Sequence, residues 1–282
     1  MARHIVKRHI KRLLAALLLL PIVFCTGTAA SAQKLEWKTL NAEVESLYQQ
    51  GRYDQAIEVA KKALEAAEQV KGPNYHDMAT SLNNLAALYG AQRQFDQAET
   101  YYKRSMAIWE EGFGPDSPEV ATSQSNLATL YVTIGKNSKA EPLFMRSLAI
   151  REKVLGQDHT DVATTLNNIA TMFKAQKKYE QAEPLYNRSL LICEKVLGPN
   201  HPEVATILNN LALLYSAQGQ YAKAEPLYKR SLEIREKSLG PDHPDVATSL
   251  VNLADLYRET DRKKEAETLV KRAAEIRAKR DK

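Results

Sequence analysis

The chain has 282 residues, 44% of them hydrophobic and 26% charged, with a formal net charge of +5. That length and apolar content suffice for a large folded body and exclude a disordered polar chain. Five of the 39 Lys and Arg residues, and none of the 34 acids, lie in residues 1–32. Residues 33–282 are therefore formally neutral, which leaves no electrostatic footprint for nucleic acid or an anionic membrane surface.

Residues 1–32 open with Arg3, Lys7, Arg8, Lys11 and Arg12, continue in an apolar run from Leu13 to Cys25, and end in Ala30-Ser31-Ala32. This layout predicts a secretory signal peptide cleaved after Ala32, and so an exported protein, periplasmic or secreted. The run is too short for a spanning helix. Phe24 directly before Cys25 argues against a lipid anchor, because a lipoprotein signal needs a small residue there. Loss of Cys25 with the signal leaves Cys193 alone and excludes an internal disulfide.

Residues 33–282 are periodic. Ala79, Ala121, Ala163, Ala205 and Ala247 are each 42 residues apart, within near-copies of HPEVATILNN. A fixed period in this range signals stacked supersecondary units, none able to bury its apolar face alone. Six repeats are expected, at about 35–74, 75–116, 117–158, 159–200, 201–242 and 243–282, the outer two acting as caps.

Each period predicts two helices. In 201–242 the first carries Leu208, Leu211, Ala212 and Tyr215 at helical spacing and breaks at Gly219, a residue suited to positive φ. The second carries Tyr221, Ala224, Leu227, Tyr228, Ser231, Leu232 and Ile234 and stops at Gly240-Pro241. The restart places Asn74, Asp116, Asp158, Asn200 and Asp242 three residues before an acid, which predicts them as helix caps. A small residue, Ala56, Ala98, Ala140, Ala182, Ala224 and Ala266, recurs where the two helices should cross closely. In the first repeat Glu43 replaces the usual leucine and Ala60 the usual aromatic, and the last repeat ends in a charged stretch from Arg262; both suit solenoid ends.

The pattern L-x-x-L-A-x-x-Y, an alanine nine residues on and an aromatic four later resembles the tetratricopeptide repeat. The 42-residue form with LNNLA, AEPLY and LGPDHP is similar to the repeats of kinesin light chain. The resemblance spans about 35–282 and implies an all-α, right-handed superhelical solenoid of six antiparallel helix hairpins. It also implies that first helices line a concave groove, into which residues beside the L-x-x-L stripe project. Those residues are Asn84, Asn126, Asn168, Asn210 and Asn252, with a neighbouring column of Asn83, Asn167 and Asn209 that Ser125 and Val251 interrupt. Thr80, Thr122, Thr164, Thr206 and Thr248 lie one turn earlier.

Two uses of the amides are open. They can bond the backbone of an extended peptide, as the matching asparagines of kinesin light chain are implied to do, or each can bridge one repeat to the next. Lys174 and Arg258 flank the groove beside Asp255 and Glu259. Two departures limit the resemblance. A signal-like segment stands where kinesin light chain has its coiled coil, and threonines occupy most of the lysine positions by which chaperone-binding relatives hold a terminal carboxylate.

Other columns have structural readings. Arg104, Arg146, Arg188, Arg230 and Arg272, with Glu99, Glu141, Glu183, Glu225 and Glu267 nearby, predict ion pairing on the outer surface. His159, His201 and His243 recur too far apart to share a metal. Tyr89, Tyr131, Phe173, Tyr215 and Tyr257 are expected in the core. Cys193 aligns with Arg151 and Arg235, so partial exposure is expected. No nucleophile, metal or phosphate motif stands apart from the repeats, so neither catalysis nor a cofactor is expected. The function read from the sequence is a non-enzymatic scaffold binding an extended peptide or partner protein in its concave groove. The alternative is a structural component of an envelope or secretion complex that self-associates into a homo-oligomer.

Overall fold

The structure, a computed structural model, describes residues 20–70 and 74–280. These form twelve helices: α1 (Leu20–Gln49), α2 (Tyr53–Glu68), α3 (Tyr75–Ala91), α4 (Phe95–Phe113), α5 (Pro118–Thr133), α6 (Asn137–Leu155), α7 (Thr160–Ala175), α8 (Tyr179–Leu197), α9 (Pro202–Ala217), α10 (Tyr221–Leu239), α11 (Pro244–Glu259) and α12 (Lys263–Arg280). There is no strand among the described residues. The fold is all-α, built of helix hairpins that pack in consecutive order. It divides into two compact units, residues 1–123 and 124–282. In the first, α1 pairs with α2 and α3 with α4, and α2 packs on α3. In the second, α7 pairs with α8, α9 with α10 and α11 with α12, and each pair packs on the helix before it.

The basic start of the expected signal peptide lies outside the described residues. The backbone over 20–32 is helical and belongs to α1, which runs unbroken past Ala32 to Gln49. No described helix is long and apolar enough to cross a membrane.

Within a hairpin the heptad-like stripe of the first helix is sealed by the second. Leu208, Ala212 and Ala224 have no exposed surface, and Tyr228 keeps 1%. Ala56, Ala98, Ala140, Ala182, Ala224 and Ala266 are all buried. The anchoring alanine of three first helices has a second purpose that its side chain does not reveal: its carbonyl accepts from a serine hydroxyl of the second helix. Ser105 donates to Ala79 at 2.8 Å, Ser189 to Ala163 at 2.7 Å and Ser231 to Ala205 at 2.7 Å. The serine hydroxyl is fully buried, so the bond cancels a desolvation cost while fixing the register of the two helices. The outer repeats carry buried Ala63 and Ala273 at this position and dispense with the bond.

The expected caps need correction. Asp158, Asn200 and Asp242 do not cap α7, α9 and α11; the next residue does. His159, His201 and His243 sit in extended backbone, and their Nδ1 atoms accept from the backbone N–H of Asp161, Glu203 and Asp245 at 3.1 to 3.2 Å. An imidazole in this role carries its proton on Nε2. Ser117 does the same for α5, accepting from Val120 N–H at 3.3 Å in place of Asp116. Asn74 precedes α3 but turns back to donate to the Ala67 carbonyl at 3.0 Å. The displaced acids hold lysines instead: Lys195 reaches Asp158 at 2.6 Å and Lys279 reaches Asp242 at 2.8 Å. The acid–x–x–acid pattern misled because the chain turns one residue later than a capping box would.

A candidate peptide-binding face

Hydrogen bonds place the first helices of successive repeats side by side. Asn84 of α3 donates its Nδ2 to Asn41 Oδ1 of α1 at 2.7 Å. Asn210 of α9 donates to Asn167 of α7 at 2.9 Å, and Asn252 of α11 to Asn209 of α9 at 2.8 Å. The two asparagine columns therefore mesh: the second asparagine of one repeat reaches the first of the repeat before it. These bridges are the repeat-to-repeat use, and Asn41, in the worn first repeat, was the rung overlooked in the sequence. It sits one period before Asn83, which is the signal that finds it.

The bridges do not exhaust the amides. A bridging Nδ2 has a second N–H, and each Oδ1 has two lone pairs. Asn209 is buried, whereas Asn83, Asn84, Asn126, Asn167, Asn168, Asn210 and Asn252 are half-buried. Asn167 also donates to Asn168 at 3.4 Å. Thr122, Thr164, Thr206 and Thr248 are exposed, and Thr80 is half-buried. The hydroxyls of Thr122, Thr164, Thr206 and Thr248 bond back to the carbonyl four residues earlier, as Thr164 does to Thr160 at 3.1 Å. Three depressions border the ladder: one of 80 Å³ beside Asn84, one of 160 Å³ beside Asn167 and one of 240 Å³ beside Asn252.

Lys174 and Arg258 do not act as a matched pair. Arg258 is exposed and held by Asp255 at 2.7 Å. Lys174 is half-buried, and desolvation pulls its pKa down.

On the second helices the arginine column finds acids of the preceding repeat, though not the glutamates nearest in sequence pattern. Arg188 pairs with Glu152 at 2.7 Å, Arg230 with Glu194 at 2.7 Å and Arg272 with Glu236 at 2.5 Å. Glu183 and Glu225 instead accept from the hydroxyls of Tyr215 at 2.7 Å and Tyr257 at 3.2 Å. The exposed ion pairs contribute under about 1 kcal/mol each. One layer is thus zipped by amides and the other by ion pairs.

The expectation for Cys193 is overturned: it is 1% exposed. Its counterparts Arg151 and Arg235 are not surface residues either, with 6% and 7% exposure. Arg151 runs inward onto the first helix that follows it, and Arg235 runs between two consecutive first helices. Arg151 donates to the Asp161 carbonyl at 3.0 Å and Thr165 Oγ1 at 2.7 Å; Arg235 donates to the Asp245 carbonyl at 3.0 Å and Ser249 Oγ at 2.8 Å. Burial lowers the pKa of both, against the pull of Asp161 and Asp245. Burial, with Glu203 nearby, pushes the Cys193 thiol up to about 11, so it is a neutral thiol near pH 7. No cluster of three His, Cys, Asp or Glu side chains suited to a metal occurs among the described residues.

Comparison with known proteins agrees with this architecture. BtubC (BKLC) from P. vanneervenii superposes with a TM-score of 0.68 at 26% identity, over 81% of this chain and 92% of its own. A kinesin light chain candidate from Podosopora anserina with nearly identical repeats gives 0.57 at 27% identity, over 71% and 95%. A Rap protein solved with competence and sporulation factor gives 0.62 at 17% identity, over 88% and 76%, a likeness of fold alone. No curated protein matches by sequence. The fold is that of a protein–protein interaction scaffold. The tetratricopeptide repeat model matches residues 38–111, 77–153, 161–237 and 203–279, and the chain belongs to that family.

Proposed function

We propose that the first-helix face of each unit is a docking groove in which its asparagines hold the backbone of an extended peptide or a partner protein's extended segment. The observation that carries this reading is that half-buried amides with unused hydrogen-bonding capacity border open depressions at Asn84, Asn167 and Asn252. Amides bond a peptide backbone without reading its sequence. Several bonds at about 0.5–1.5 kcal/mol net each, plus an apolar anchor, reach about micromolar affinity. The basic, apolar and small-residue order of residues 1–32 supports an exported location for this scaffold.

The test is peptide capture from a displayed library of extended sequences, by the wild type and by a variant combining Asn126→Ala, Asn168→Ala and Asn210→Ala. Loss of capture with unchanged helical circular dichroism supports the groove. Retained capture refutes it and leaves the amides as struts between repeats.

A further inference from the structure

The first-helix face has three comparable niches in residues 124–282, each set between a second helix and the first helix that follows it. Two are filled from within. Arg151 occupies one and donates to the Asp161 carbonyl and the Thr165 hydroxyl; Arg235 occupies another and donates to the Asp245 carbonyl, the Ser249 hydroxyl and, from its Nη2 at 3.5 Å, the Thr206 hydroxyl. In the niche between them the chain changes both partners at once. Cys193 stands at the arginine position and Ile207 at the hydroxyl position, each 42 residues from its counterparts. Glu203 keeps the acid that Asp161 and Asp245 supply elsewhere.

The short side chain leaves the niche open. A cavity of 160 Å³ remains, lined by Thr164, Asn167, Cys193, Glu203, Thr206 and Ile207. Cavities of about 150 Å³ take up a guest the size of benzene. Its rim is accessible, since Thr164, Glu203 and Thr206 are exposed, while Cys193 and Ile207 form a buried apolar floor. The Glu203 carboxylate lies 3.9 Å from the Cys193 sulfur and has no cation within ion-pair distance among the described residues. With the thiol neutral, Glu203 is the only charged residue in the lining among the described residues, and the Arg235 guanidinium meets the rim from the neighbouring niche through Thr206.

We propose that this niche is a receptor for a guanidinium-bearing side chain, an arginine of the bound peptide, which takes the place that Arg151 and Arg235 hold in the flanking niches. Its alkyl stem lies on Ile207 and Cys193, and its guanidinium meets the Glu203 carboxylate, with the Thr164 hydroxyl as acceptor at the rim. A planar fork of donors fits a carboxylate better than an ammonium does. This deepens the groove reading by assigning it one side-chain specificity.

The experiment uses a small probe, so that the niche is tested apart from peptide capture. Butylguanidinium is titrated into the full chain, with calorimetry and the Ile207 δ-methyl NMR shift as readouts, beside butylurea as the neutral match. The expected result is one-to-one binding of butylguanidinium in preference to butylurea, with a shift of the Ile207 methyl. Glu203→Gln, a change at an exposed side chain, should weaken binding about tenfold. Cys193→Arg combined with Ile207→Thr copies the neighbouring niche and should abolish binding while raising Tm. Equal affinity for butylurea, or undiminished binding by either variant, overturns the proposal. Butylguanidinium binding without any peptide capture keeps the niche and removes the groove. Ladder-dependent capture of arginine-free peptides, with no binding of butylguanidinium, removes the niche alone.

Discussion

Two kinds of turn alternate along the chain, and they ask different things of the same residue type. The turn inside each hairpin passes through one residue of positive φ: Gly51, Arg93, Gly135, Lys177, Gly219 and Asp261, at 59° to 75°. The turn between repeats passes through Gly114, Gly156, Gly198 and Gly240, at φ of 86° to 90° with ψ of 155° to 161°. The first conformation is the left-handed region, uncomfortable but open to residues with a Cβ. The second is a region that only glycine populates routinely. So the hairpin position drifts among glycine, basic residues and aspartate, and the inter-repeat position is glycine in all four described turns. A glycine column is pure or mixed according to the backbone it must serve.

The sharpest way to break this comparison is to place the same methyl group in each turn. An added Cβ meets no atom within 4 Å at Gly198 or at Gly219, so packing drops out and conformation alone remains. Gly198→Ala should cost about 2–3 kcal/mol, at the upper end for a residue held in a glycine-only region. Gly219→Ala should cost about 1 kcal/mol, consistent with Arg93, Lys177 and Asp261 being tolerated at its equivalents. Urea midpoints of the two variants give the ranking directly, and equal costs would show that the backbone difference does not explain the glycine column.

The inter-repeat turn has a second fixed point three residues on. The His201 N–H donates to the Gly198 carbonyl at 3.3 Å, and the His201 side chain then caps α9. His201→Ala should cost about 1 kcal/mol, whereas His201→Asn, which offers a better acceptor at the same place, should hold stability or raise it. The readout is again the urea midpoint, together with protection of the Glu203 amide against hydrogen exchange. A stable alanine variant with that amide still protected would mean that the glycine conformation alone starts the helix.

How much of this was legible beforehand follows the same divide. The 42-residue period, the alanine crossings and the glycine stops are properties of one repeat, and one repeat is what a periodic sequence prints six times over. What the sequence did not disclose were pairings between repeats. Asn84 with Asn41 and Arg188 with Glu152 join residues 43 and 36 apart, and several residue columns lie near such offsets. The arginine column was visible, but its glutamates were assigned to the wrong column, because proximity across two packed helices depends on their crossing and not on sequence spacing. Cys193 was misplaced for a related reason. Arginine at Arg151 and Arg235 reads as a surface residue, yet a long side chain can lie between helices when backbone carbonyls and hydroxyls satisfy it.

The gentlest test runs in the opposite direction. Lys177, at φ 59°, makes no ion pair among the described residues and bonds through its own N–H to the Lys174 carbonyl at 2.9 Å, a bond that any residue with an N–H can make. Replacing it with glycine relieves the left-handed strain of a Cβ-bearing residue, about 1 kcal/mol, and loosens the unfolded chain, which returns about 0.4–1 kcal/mol of that gain. Lys177→Gly should therefore stabilise by well under about 1 kcal/mol, whereas Gly219→Ala, its reverse at the equivalent position, should destabilise. Opposite signs from mirror-image changes at two points of one column would establish that the turn prefers glycine and accepts lysine at a small cost. A destabilised Lys177→Gly would mean that the lysine side chain contributes an interaction of its own there, and that the mixed column records side-chain chemistry as well as backbone tolerance.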